Sequence, residues 1–288
     1  MHTLSIILFW AAFCVFLLAS SAFAHNLVRP HLFSERTGRI ATVLAWLLLT
    51  ASIGLSHASA AQLGGSTPLT GSNQLVLVAW ALVLAYFLLT YVLKFPRYGA
   101  ALIPLTAALM FVAQIIPSRS AVPGLAPTAT TVTSQMSSAY VTLHVILIIF
   151  GNALLLIGCV AAALYLYADH ALRAHLNSAL ARALPSLGNI ERLTVRVISI
   201  GLPIYVMGMA LGVTRAIVVD ARLWWADPRI ILSGAVLVIF VTYLVVQLRQ
   251  RLSAVTTSWM AVGGGVVIVV LMVLARTLPY GFHIFGVL

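Results

Sequence analysis

The chain has 288 residues, 62% hydrophobic and 7% charged, with a formal net charge of +11 and a mean hydropathy of +1.10. That balance excludes a water-soluble globule folded around one core and describes a polytopic membrane protein. The 16 basic and 5 acidic side chains are scattered singly between apolar runs, which excludes a nucleic-acid patch and reads as topology signals and contacts with the lipid bilayer.

About 20 apolar residues in a helix cross the hydrocarbon with every backbone hydrogen bond satisfied internally. Eight such runs are predicted, at 3–24, 40–61, 74–93, 98–116, 139–167, 194–219, 230–248 and 256–275. The expected fold class is therefore all-α: a polytopic bundle of about eight transmembrane helices forming a single integral membrane domain over 1–288. Ala22-Phe-Ala24 at the end of the first run resembles a cleavage site, but no basic residue precedes the run, so it reads as a helix. Cys14 and Cys159 lie inside apolar runs with neither CxxC nor metal-ligand spacing and read as small buried hydrophobes.

Alternate loops differ in charge. One set holds Arg29, Arg36, Arg39, Lys94, Arg97, Arg173, Arg182, Arg192, Arg196, Arg249 and Arg251, eleven residues; the other holds five, Arg119, Arg215, Arg222, Arg229 and Arg276. Cytoplasmic loops carry the excess of Lys and Arg, so the first set is expected inside and both termini extracytoplasmic, in the plasma (inner) membrane. The uncharged loop at 62–73 and the Ser/Thr/Pro-rich loop at 117–138 then fall outside. The longest inside loop, 168–193, reads as a solvated linker or as carrying a short surface helix before Pro185. Gly208 and Gly212 in the sixth run and Gly263 to Gly265 in the eighth predict close helix packing.

Tryptophans, acids and arginines crowd together only in Arg215-Ala-Ile-Val-Val-Asp220-Ala-Arg-Leu-Trp224-Trp225-Ala-Asp227-Pro228-Arg229. Such a stretch at a helix end serves either as an interface anchor or as a shelf for a planar, charged molecule at the membrane surface. The histidines bear on that choice. His25, His31, His170 and His175 fall in inside loops, whereas His2, His57, His144 and His283 fall at the outer face. Neutral imidazole is the usual axial ligand of haem iron, and His144 and His283 bracket the tryptophan loop in sequence. Haem propionates need cationic partners, which Arg215, Arg222, Arg229 and Arg276 offer on the same side. Snorkelling to headgroups is the other reading of Arg276. Few ionisable groups lie near the midplane, which disfavours a small-molecule transporter.

In order along the chain, His144, Leu184-Pro185-Ser-Leu187, Arg192-Leu193, Arg196, Ile200-Gly201-Leu-Pro203, Gly208, Gly212, Trp224, Asp227-Pro228-Arg229 and His283, the last followed by Phe285-Gly286, resemble the cytochrome c assembly proteins. These are the CcsA/CcmC-type haem-handling proteins with a WWD domain, and the match is strongest over 140–288. Ala226 stands where the signature has a Trp, Arg229 where it has Lys, and Ile230 where it has an acid. In these respects the chain is similar to the HemX-like and YpjD-like members. The resemblance implies non-covalent haem b on His144 and His283, with the iron as the metal, and Trp224, Trp225, Asp227, Arg215, Arg229 and His57 as further cofactor-binding residues. It also implies a partner membrane protein and apocytochrome c, to which haem would be presented for attachment. The alternative it implies is a non-enzymatic haem-binding protein of the same fold, acting in haem synthesis or transport. No cysteine or general base is placed for covalent chemistry, so catalytic residues are expected to be none and any catalysis would be positioning.

Overall fold

The structure, a computed structural model, describes residues 2–28, 35–62, 74–91, 98–116, 138–176, 178–218, 224–249 and 252–277. Every regular element among them is helical: α1 (His2–Val28), α2 (Glu35–Gln62), α3 (Gln74–Tyr91), α4 (Gly99–Ile115), α5 (Ser138–Arg173), α6 (Ala179–Ala183), α7 (Leu187–Val218), a 3-10 turn (Trp224–Ala226), α8 (Pro228–Arg249) and α9 (Ala254–Thr277). Seven of these helices are long and apolar enough to span a bilayer, and α4 is a shorter apolar helix. The chain is therefore a polytopic helical bundle, with a helix on each of the eight apolar runs.

Helix boundaries follow from local chemistry. α5 ends at a left-handed residue, His175, with φ 50°. The His175 N–H donates to the Leu172 carbonyl at 3.3 Å and the Leu176 N–H to the Ala171 carbonyl at 2.8 Å, which closes the last turn. α6 is a short helix before Pro185, so this stretch is the surface helix rather than the solvated linker. Its cap is Ser178, whose Oγ accepts from the Ala181 N–H at 3.0 Å and from the Tyr167 hydroxyl at 2.7 Å.

The core is built around α3 and α5, the two most buried spans. α1 and α2 form a hairpin on one side, tied by Ser52 Oγ donating to the Ser5 carbonyl at 2.7 Å. Trp46 of α2 stacks on Trp80 of α3 with ring centroids 5.4 Å apart, and the Trp80 indole N–H reaches Thr50 Oγ1 at 2.8 Å.

On the other side, α5 and α7 share a seam of unusual regularity. A Cβ on Gly212 would meet the His144 ring; one on Gly208, Ile148; one on Gly151, the Tyr205 backbone; one on Gly201, Leu154 and Leu155; one on Gly158, Ile198. Along α5 these positions run 144, 148, 151, 155, 158, and along α7 they run 212, 208, 205, 201, 198, in matched steps of four and three. That is the heptad spacing of two antiparallel helices in fixed register. At every level a large residue faces a glycine. Hydrophobicity does not drive association between helices in lipid, so this close backbone approach supplies the cohesion.

Candidate functional site

His144 is the last side chain of that seam, one and a half turns into α5. Its half-buried ring lies in the groove left by the two glycines. Its Nδ1 is 2.7 Å from the Gly208 carbonyl oxygen. A carbonyl only accepts, so Nδ1 carries the proton and donates, and in the neutral imidazole the lone pair is on Nε2. One turn nearer the start of α5, the Tyr140 hydroxyl donates to the Leu211 carbonyl at 3.1 Å, stitching the seam shut beside the ring.

The other elements converge at this same end. Cys159 of α5 lies against Gly265 of α9, and the two helices run in opposite directions. Twelve residues further along, α9 ends at Thr277; twelve residues back from Cys159, α5 has Leu147. The chain after Thr277 thus departs at about the level of His144, roughly 4.5 Å along the helix axis from it. His283 belongs to that stretch and lies outside the described residues, as do Asp220 and Arg222.

The tryptophan loop closes into α8 through Asp227. This carboxylate is 4% exposed and its Oδ1 accepts from the Arg229 N–H at 2.8 Å. Aspartate at the cap followed by Pro228 in the first helical position is a favoured helix start, because the proline has no N–H to satisfy and its φ is already helical. Arg229 then reaches the neighbouring helix: its Nη2 donates to the Ala275 carbonyl at 2.8 Å, in the last turn of α9. A cation there also meets the negative end of the helix dipole. Arg215 lies in the last turn of α7, three residues beyond Gly212, half-buried.

The two tryptophans are not equivalent. Trp224 is half-buried, and Trp225 is 63% exposed. His57 is half-buried near the end of α2, which packs on α1 and α3, whereas His144 belongs to the α5–α7 pair. The structure therefore gathers His144, Arg215, the loop from Trp224 to Arg229 and the end of α9 at one end of four helices, and carries His57 on a separate hairpin. Among the described residues no three of His, Cys, Asp and Glu converge as they would for a protein-only metal site. A porphyrin brings four donors of its own, so the donor set here, a single imidazole in the Nδ1–H form, would suit a haem.

Two features escaped sequence reasoning. The Gly208 carbonyl is a backbone group with no side-chain signature. The complementary glycines of α5, Gly151 and Gly158, repeat at the seven-residue spacing of Gly201 and Gly208, and this shared spacing is a signal that was available in the sequence.

A sequence model of the family described as "Cytochrome C assembly protein" matches residues 69–283. "Protein HemX" of Brevibacillus brevis is 28% identical over 120 residues, which cover 42% of this chain and 44% of that protein. The chain thus aligns with less than half the length of this curated relative.

Proposed function

Because this chain belongs to the cytochrome c assembly protein family, with a haem-related role in cytochrome c biogenesis, we propose that it binds haem b non-covalently at the outer end of its bundle and presents it to apocytochrome c. His144 and His283 would hold the haem iron. Arg215 and Arg229 offer donors to the propionates, Trp224 and Trp225 flank the ring, and Asp227 holds the loop in shape. His57 joins the site only if the α2 end leans toward α5. Haem supplies the vinyl groups to which cysteine thiols add. The chain itself binds, orients and shields, with no catalytic side chain, and a partner membrane protein brings the apocytochrome.

The single observation that carries this reading is the hydrogen bond from His144 Nδ1 to the Gly208 carbonyl at 2.7 Å. It leaves the lone pair on Nε2, at the end where α7, α8 and α9 converge. The excess of basic residues at the opposite end supports an outward orientation of the site in the plasma (inner) membrane. A second reading, haem binding that regulates haem synthesis or transport, is favoured by Ala226 and Ile230 at positions where the family signature has Trp and an acid.

Replacing the native gene by His144→Ala and by His283→Ala, then measuring haem covalently bound to c-type cytochromes alongside total haem, tests the proposal. The expected result is a loss of covalent haem at constant total haem. A fall in both together supports the second reading, and normal levels of both in both strains would sink the assignment.

A further inference from the structure

The heptad seam accounts for Gly151, Gly158 and Gly201 as packing residues, but at its end the partner of glycine is not an apolar knob. It is the imidazole of His144. Two separate constraints act on that ring. The Gly208 carbonyl lies 2.7 Å from Nδ1. A helical carbonyl has two lone pairs, so it can accept from a side chain beyond its own backbone partner. The bare face of Gly212 lies against the same edge of the ring: a Cβ there would be 2.7 Å from Cε1, 3.2 Å from Nδ1 and 3.5 Å from Nε2. Any side chain at 212 therefore pushes the ring off the carbonyl. A Cβ on Gly208 would instead be 3.0 Å from the Ile148 backbone nitrogen and 2.9 Å from its Cδ1. That contact sets how closely the carbonyl's helix approaches α5.

We propose that Gly208 and Gly212 are positioning residues for His144: together they hold its imidazole as the Nδ1–H tautomer, so that Nε2 is the nitrogen offered as a ligand. This rests on the haem-binding reading above. The partner of the second ring nitrogen is what fixes tautomer, orientation and basicity in ligating histidines, and here a backbone group in a glycine groove fills that role. Free histidine favours the other tautomer, so the assignment is visible before any haem is added.

The experiment uses the full chain, 15N-labelled at histidine, in nanodiscs without haem and at a pH where imidazole is neutral. The His144 signals are identified by their loss in His144→Ala. His144 is expected as the Nδ1–H tautomer in the wild type and in Gly201→Ala, a variant of the same seam two turns or more from the ring. In Gly212→Ala a mixture of tautomers is expected. Haem b is then added: Gly212→Ala should weaken binding by about tenfold or more and shift the haem reduction potential, whereas Gly201→Ala should lower the melting temperature and leave the potential in place.

An Nε2–H tautomer of His144 in the wild type overturns the proposal, as does a Gly212→Ala protein with wild-type tautomer and potential. If Gly212→Ala does not fold, the wild-type tautomer still decides. If His144 is the Nδ1–H tautomer but His144→Ala binds haem as the wild type does, the positioning of the ring stands and the haem-ligand reading fails.

Discussion

Asp227 is buried while its neighbours Trp225 and Ala226 are exposed, and its Oδ1 takes the Arg229 N–H that begins α8. Asp227→Ala removes this cap and should cost about 1 kcal/mol, read as a lower melting temperature in one detergent; Asp227→Asn keeps the acceptor oxygen and should cost less than about half as much. Equal losses in the two variants would mean that the charge, rather than the cap, matters. The unequal burial of the tryptophans also separates their roles. Trp225→Leu should lower haem affinity about fivefold, the worth of about 1 kcal/mol of aromatic contact, at unchanged melting temperature. Unchanged affinity in a haem titration would leave Trp225 as an interface anchor. The polar and aromatic residues of this loop were legible in the sequence because charges and indoles are rare in an apolar chain. Their unequal exposure was not, because it depends on how a 3-10 turn is oriented against α8.

At the scale of elements, the seam between α5 and α7 predicts a graded response to added methyl groups. Gly151 faces the Tyr205 backbone, with a Cβ position 2.8 Å from Cα, and backbone cannot swing aside. Gly151→Ala should therefore destabilise by about 1–3 kcal/mol. Gly54→Ala, where nothing lies within 4 Å, should be neutral or stabilise by up to about 1 kcal/mol through helix propensity. Thermal unfolding of both variants in the same detergent checks this, and equal effects would contradict the seam.

The eight apolar runs were readable because a span must be apolar along its whole membrane length. Their ends were not: α5 runs to Arg173 and α7 starts at Leu187, several residues past the apolar stretches at 139–167 and 194–219. At 36 residues α5 is about 54 Å long, so it projects beyond a hydrocarbon core of roughly 30 Å. The added turns mix apolar residues with Asp169, His170, Arg173, Asn189, Glu191 and Arg192, which interrupts the hydropathy signal. The register of α5 on α7 was hidden for a different reason: glycine spacing announces close packing but does not say which helices meet.

For the whole molecule, the helices sort charge along the bundle axis. Arg36, Arg39, Arg173, Arg182, Arg192, Arg196 and Arg249 lie at the helix ends opposite to those bearing Arg215, Arg229 and His144. With the basic end in the cytoplasm, a reporter active only there and fused after Leu288 should be silent. Activity would turn the bundle over and carry His144 to the inner face.

Whether the end where four helices meet holds haem through His144 and His283, as proposed, can be read from the Soret band. Haem b is titrated into the purified full chain in nanodiscs while the Soret band is followed, for the wild type and the His144→Ala/His283→Ala double variant at matched protein. A six-coordinate, nitrogen-ligated spectrum is expected in the wild type, and in the double variant a displaced Soret band with affinity lower by about tenfold or more. A double variant with the wild-type band position and affinity would contradict the proposal.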